Sequence, residues 1–175
     1  MPIFLATLGL LAVVAIWTLR ARYIARDAEG LAEVTRGVRT ARQRFHVDRR
    51  SSRHPAETID DPVIAIGALA VAFFELDDYP SRAQKAALGY GLAQEFSLSA
   101  REAEDLMSLG HWLTMACKGP EAAIARIGKR LYRLDGGTSF SQLMALIKET
   151  SAAGSGLSQR QSRALDDLRG VFRLA

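Results

Sequence analysis

The chain has 175 residues, 49% of them apolar and 24% charged, a composition that excludes intrinsic disorder and fits one compact domain better than two. A single cysteine, Cys117, excludes an intramolecular disulfide. The net charge of +4 is unevenly shared: residues 1–53 hold ten arginines against Asp27, Glu29, Glu33 and Asp48, so the rest of the chain is mildly acidic.

Residues 1–19, MPIFLATLGLLAVVAIWTL, contain no charged side chain. In helical conformation such a stretch reaches about 30 Å, the thickness of a bilayer's hydrocarbon core. A secretory signal would carry positive charge ahead of the apolar stretch and a small-residue cleavage site behind it. Here Arg20, Arg22 and Arg26 come directly behind it, and Trp17 and Tyr23 fall where an interfacial aromatic belt lies. The pattern predicts a single-pass anchor over 1–19, with Trp17, Arg20, Arg22, Tyr23 and Arg26 at the membrane interface. The positive-inside rule puts the N-terminus outside and everything after Leu19 in the cytoplasm. A buried core helix is the rival, but a compact soluble domain has no need of a charge-free N-terminal helix bordered by three arginines.

Residues 20–58 read as a basic juxtamembrane helix and linker. Ile24, Ala28, Leu31, Val34, Val38, Ala41 and Phe45 form a helical stripe close to a heptad seam. Gly30 and Gly37 weaken that helix by about 1 kcal/mol each relative to alanine. The seam residues Ile24, Leu31, Val34, Val38 and Phe45 can meet a protein partner in a membrane complex, a second copy in a homo-oligomer, or the chain's own domain. Arg22, Arg36 and Arg44 lie opposite, and RFHVDRRSSRHPAET follows as a polar, basic linker. Basic residues beside a bilayer are drawn to anionic lipid by about 1 kcal/mol each. Topology thus accounts for the basicity. Few aromatics are interleaved with it, and no nucleic-acid partner is expected.

Residues 59–175 read as capped helices joined by short loops. DDPVIAIGALAVAFFEL opens with an Asp cap and Pro62, and residues 62–74 are entirely apolar. Thirteen residues are too few to span a bilayer, so this is the expected central helix, buried on every side. PSRAQKAALGYGLAQEF starts with Pro80 in its first turn. SAREAEDLMSLGHWLTMA starts with a capping box, Ser99 and Glu102. GPEAAIARIGKRLYRL puts Ile124, Ile127, Leu131 and Leu134 on one stripe. SFSQLMALIKE turns Leu143, Met144 and Ile147 inward. After AAGSG, a second box at Ser158 and Gln161 opens a helix with Leu165, Leu168 and Phe172 inside. No stretch alternates like a strand. The fold class is all-α: a transmembrane helix continuing into a juxtamembrane helix, then a bundle of about six helices.

Catalytic signals are sparse. The chain contains no P-loop, GxGxxG, GxSxG or HExxH motif. His46, His54 and His111 lack paired spacing, and a hydrogen-bonded structural role is the expectation for His111. Cys117 reads as a small core residue, and Asp166 and Asp167 as a solvated face. The expectation is no enzyme, no catalytic residue and no cofactor. The weak metal candidates are Asp77 and Asp78, an acidic pair in ELDDYPSRAQ after the apolar run. A hard cation such as Ca²⁺ wants six to eight oxygens, and these two carboxylates do not supply them alone.

Over roughly residues 60–173 the chain resembles the TerB-like domain, the tellurite-resistance B family that also forms the N-terminal part of membrane-anchored DjlA co-chaperones. The resemblance rests on two turn-and-box segments, AVAFFELDDYPSRAQKAALGYGLAQEFSLSAREAEDL and AAGSGLSQRQSRALDDLRGVF. In that family a very apolar helix runs into an Asp-Gly turn and then a Ser/Thr-x-x-Glu helix start. This chain departs from the pattern: Tyr79 follows Asp78 where the family has glycine, Gln84 and Gln161 stand for the box glutamates, and GSG carries no acid. The resemblance implies a stress or envelope context at a bacterial inner membrane. Nineteen arginines against four lysines suit a GC-rich bacterial genome. The expected function is a non-enzymatic, membrane-anchored interaction or scaffold protein, an accessory subunit of a membrane complex. The alternative is a metal-responsive, tellurite-resistance-like sensor built on Asp77 and Asp78.

Overall fold

The computed structural model describes residues 54–77 and 80–172. The expected anchor, its interfacial residues and the seam from Ile24 to Phe45 lie outside the described residues, and so do Asp78 and Tyr79. Among the described residues no helix is long and apolar enough to cross a membrane.

These residues form a 3₁₀ turn, Pro55–Glu57, and six α-helices: α1 Pro62–Phe74, α2 Arg82–Glu95, α3 Ala100–Ala116, α4 Pro120–Asp135, α5 Phe140–Ala152 and α6 Gln159–Val171. No strand occurs among them, in agreement with the all-α reading and its helix count.

The architecture follows from α1. Asp61 caps it, its Oδ1 accepting the Val63 N–H at 2.8 Å, and Pro62 presets the first helical φ. From Ile64 to Phe74 every residue is buried. A helix apolar on all sides must be surrounded. α3 and α4 pack along it most extensively, and α5 and α6 also reach it. α2 packs outside, on α3 and α5. Leu76 lies past the end of α1 and is still buried.

α1 and α3 approach closely through small residues. A Cβ added at Gly67 would stand 2.7 Å from Leu106 Cγ, and one at Gly110 would stand 3.1 Å from the Ala68 Cα. Leu106 and the Ala68 backbone occupy the space a side chain would need. Ala56 and Ile59, in and after the 3₁₀ turn, have no exposed surface, so the end of the basic linker stretch is packed into the body.

Capping follows the sequence with one correction. Ser99 with Glu102 and Ser158 with Gln161 form reciprocal boxes, and Ser81 forms a third with Gln84. Pro80 is therefore not in the first turn of α2. Ser81 Oγ accepts the Gln84 N–H, which makes Ser81 the N-cap and leaves Pro80 one residue outside the helix. In α4, Ile124, Ile127 and Leu131 are buried, and Leu134 is half-buried. In α5, Leu143, Leu146 and Ile147 face the core, while Met144 is half-buried. Between α4 and α5, Asp135 accepts the N–H groups of Gly137 (2.8 Å) and Ser139 (3.0 Å). Burial pushes its carboxyl pKa up, but these bonds outweigh it and hold the carboxyl below its usual value.

Gly110→Ala tests the α1–α3 approach. Alanine gains about 1 kcal/mol in helix propensity, but overpacking costs about 1–3 kcal/mol, and the neighbour here is backbone. Net destabilisation is expected in urea titration. Gly170→Ala is the control: nothing lies within 4 Å of a Cβ there, and it should be neutral or stabilising by up to about 1 kcal/mol. A more stable Gly110→Ala variant would show that the helix spacing yields.

Candidate functional site

Asp77 follows the buried Leu76 at the corner after α1. Its Oδ1 accepts a hydrogen bond from the Ser158 hydroxyl at 2.8 Å. Ser158 is the N-cap of α6: its Oγ accepts the Gln161 N–H, and its own N–H is taken by Gln161 Oε1, both at 3.1 Å. Gln161 is 2% exposed. Its Nε2 reaches the Phe73 carbonyl at 3.5 Å, in the last turn of α1, where helices leave carbonyls short of partners. The N-terminus of α6 is thus fastened to the C-terminus of α1.

The two turn-and-box segments engage each other reciprocally. The turn of the first, at Asp77, holds the box of the second. The box of the first, Gln84, lies on the turn of the second: a Cβ at Gly154 would fall 2.6 Å from Gln84 Nε2. Glutamine rather than glutamate at 161 has a local reason. Glutamate has no N–H for the Phe73 carbonyl and would bury a second carboxylate beside Ser158 and Asp77.

This places the metal candidates. Asp77 is engaged by Ser158, and Asp78 lies outside the described residues. Among the described residues, no group of three or more His, Cys, Asp or Glu side chains is placed to hold a metal ion.

His111 tethers α3 to the same corner. Its Nδ1 lies 2.6 Å from Glu75 Oε1, and Glu75 closes α1. The hydrogen bond to Glu75 raises the imidazole pKa above its ordinary 6.5, against the opposing effect of partial burial. His54 is structural as well, with Nε2 3.1 Å from the Ala116 carbonyl. Cys117 is buried, and burial pushes its thiol pKa up, away from the reactive thiolate. Asp166 pairs with Arg169 on an exposed face at 3.0 Å, and Asp167 is exposed beside it.

Two grooves flank α6. One, about 410 Å³, lies between α4 and α6, with Leu76, Ile124 and Leu168 in its lining. Glu121 and Arg160 form an ion pair at its rim, beside Arg163 and Asp167. The Arg160 bond, foremost, holds the Glu121 carboxyl below its usual pKa. The second, about 700 Å³, lies between α5 and α6 and is lined mostly by apolar side chains, including Met144, Leu157 and Leu165. An apolar floor with a charged rim suits contact with another surface more than acid–base chemistry.

Comparison of the chain with protein-family models, curated proteins and solved structures finds no match. The sequence marked the caps and the acidic corner. It missed the Asp77–Ser158 and Glu75–His111 contacts and both grooves, because each joins residues far apart in the chain with no periodic signal between them.

Asp77→Ala should cost about 1 kcal/mol, since Ser158 keeps its box. Gln161→Leu should cost more, about 1–3 kcal/mol, because it strips a buried cap of its partner. Millimolar Ca²⁺ should leave the wild-type Tm unshifted; a rise that Asp77→Ala abolishes would restore the metal reading. The His111–Glu75 contact sets a pH dependence. A pKa raised on folding stabilises fully below the unfolded value of 6.5 and loses that contribution as pH climbs through the folded value. Wild-type stability should therefore fall from pH 6 upward relative to Glu75→Gln, and equal slopes from thermal melts would remove the ion pair from the account.

Proposed function

We propose that this chain is a non-enzymatic, membrane-anchored interaction protein. It presents a TerB-like all-α domain at the cytoplasmic face of a bacterial inner membrane, as an accessory subunit of a larger complex. One observation carries the reading: residues 1–19 are charge-free and end at once on Arg20, Arg22 and Arg26. The seam Ile24, Leu31, Val34, Val38 and Phe45 is its first partner surface. The α4–α6 groove, apolar below and ion-paired at the rim, supports a second. The reciprocal engagement of the two turn-and-box segments supports the TerB-like reading, since it gives both segments one shared structural role.

Alkaline carbonate washing should leave the full chain in the membrane, and deletion of residues 1–19 should release it. After mild detergent extraction, the particle mass should exceed that of one chain, and Leu31→Asp with Val38→Asp should lower it. A strict monomer with no co-purifying partner overturns the complex, and carbonate-soluble full-length protein overturns the anchor.

A further inference from the structure

Residues 54–175 hold thirteen lysines and arginines against fifteen acids, yet one face of α4 is strongly basic. Ala122, Arg126, Lys129 and Arg133 recur at helical spacing along its exposed side, and Arg130 flanks them. From Arg126 to Arg133 the stripe runs about 10 Å. The acid in this surface is Glu57, 3.3 Å from Arg126. Lys129 and Arg133 form no ion pair with a described residue. Arg130 is half-buried, and its guanidinium Nε donates to the Ile59 carbonyl at 2.5 Å. Three exposed cations, Arg126, Lys129 and Arg133, thus share one side of α4.

The first described residues, from His54 on, lie on that side as well. His54 is pinned to the Ala116 carbonyl at the C-terminal end of α3, just ahead of α4. The turn Pro55–Glu57 packs along α4, with Glu57 on Arg126. Ahead of His54 in the sequence come the ten arginines and the charge-free stretch.

We propose that the α4 face formed by Arg126, Lys129, Arg130 and Arg133 docks the domain on the anionic lipid headgroups of the membrane that anchors it. The proposal rests on the anchor reading above. It assigns the four side chains to lipid phosphates: each basic residue near an anionic surface strengthens association about fivefold, and the attraction fades beyond about 8–10 Å. Docking would fix the domain's orientation at the membrane.

The test uses the full chain in vesicles of phosphatidylcholine alone or with phosphatidylglycerol. Cys117→Ala removes the native thiol, and an environment-sensitive fluorophore is placed at Ala122→Cys on the α4 stripe or at Ser141→Cys on α5. With anionic lipid, the label at 122 should shift to the blue and resist aqueous iodide, and the label at 141 should not. Replacing Arg126, Lys129 and Arg133 with glutamine should lower the docked-to-undocked ratio about a hundredfold and return the 122 signal to its neutral-lipid value. Equal quenching at 122 in both lipids, or no response to the triple substitution, overturns the proposal. Capture of an RNA duplex through the same three residues, with no lipid response, assigns the face to nucleic acid and also overturns it. Flotation with neutral vesicles reads the anchor separately: its loss rejects the anchor, while the 122 label with excess anionic vesicles still decides the face.

Discussion

α1 has no polar side to give to water, and this constraint sets the positions of the helices around it. A thirteen-residue helix buried from Ile64 to Phe74 needs a neighbour in every direction, so helices on several sides pack against it. α3, α4, α5 and α6 can meet that demand because each turns one stripe toward α1 and another to solvent. Gly67 and Gly110 let the α1–α3 contact close to backbone distance, which deepens burial where the core is densest.

The polar groups act at the ends of this apolar frame. A helix buried along its whole length still has terminal N–H and C=O groups to satisfy. Asp61 serves the start of α1. At the other end Gln161 donates to the Phe73 carbonyl and His111 bonds the Glu75 side chain, so residues from distant parts of the chain link the last turn to α6 and α3. The same need reaches the acidic corner. Asp77 completes the hydrogen bonding of a distant cap, and its carboxylate lies at the surface end of a core helix, where charge is tolerated.

What the sequence made legible was local. Ser99 with Glu102 and Ser158 with Gln161 announce helix starts within four residues, and the apolar run 62–74 announces a buried helix by itself. Pro80 misled by one position because proline suits both the first turn and the residue before a cap, and only the Ser81 Oγ contact with the Gln84 N–H decides between them. The Asp77–Ser158 contact was hidden because the two residues are 81 apart in the chain, and no spacing rule relates them. His111 was expected to be a bonded structural histidine, but its partner could not be named, since Glu75 lies on another helix. The basic face of α4 was diluted in the mildly acidic count of residues 54–175. It became visible only when Arg126, Lys129 and Arg133 fell on one exposed side of the helix.

The fastening of α6 to α1 also bears on how the protein is made. α1 is synthesised ahead of the other described helices, and its cover is completed only when Ser158 and Gln161 arrive to close on Asp77 and Phe73, the latter 88 residues from Gln161. Until then an apolar helix stands uncovered in the nascent chain, the state in which proteins aggregate or recruit chaperones. Thirteen residues are enough for α1 to organise a core, and at about 20 Å it stays well short of the ~30 Å that a membrane span needs.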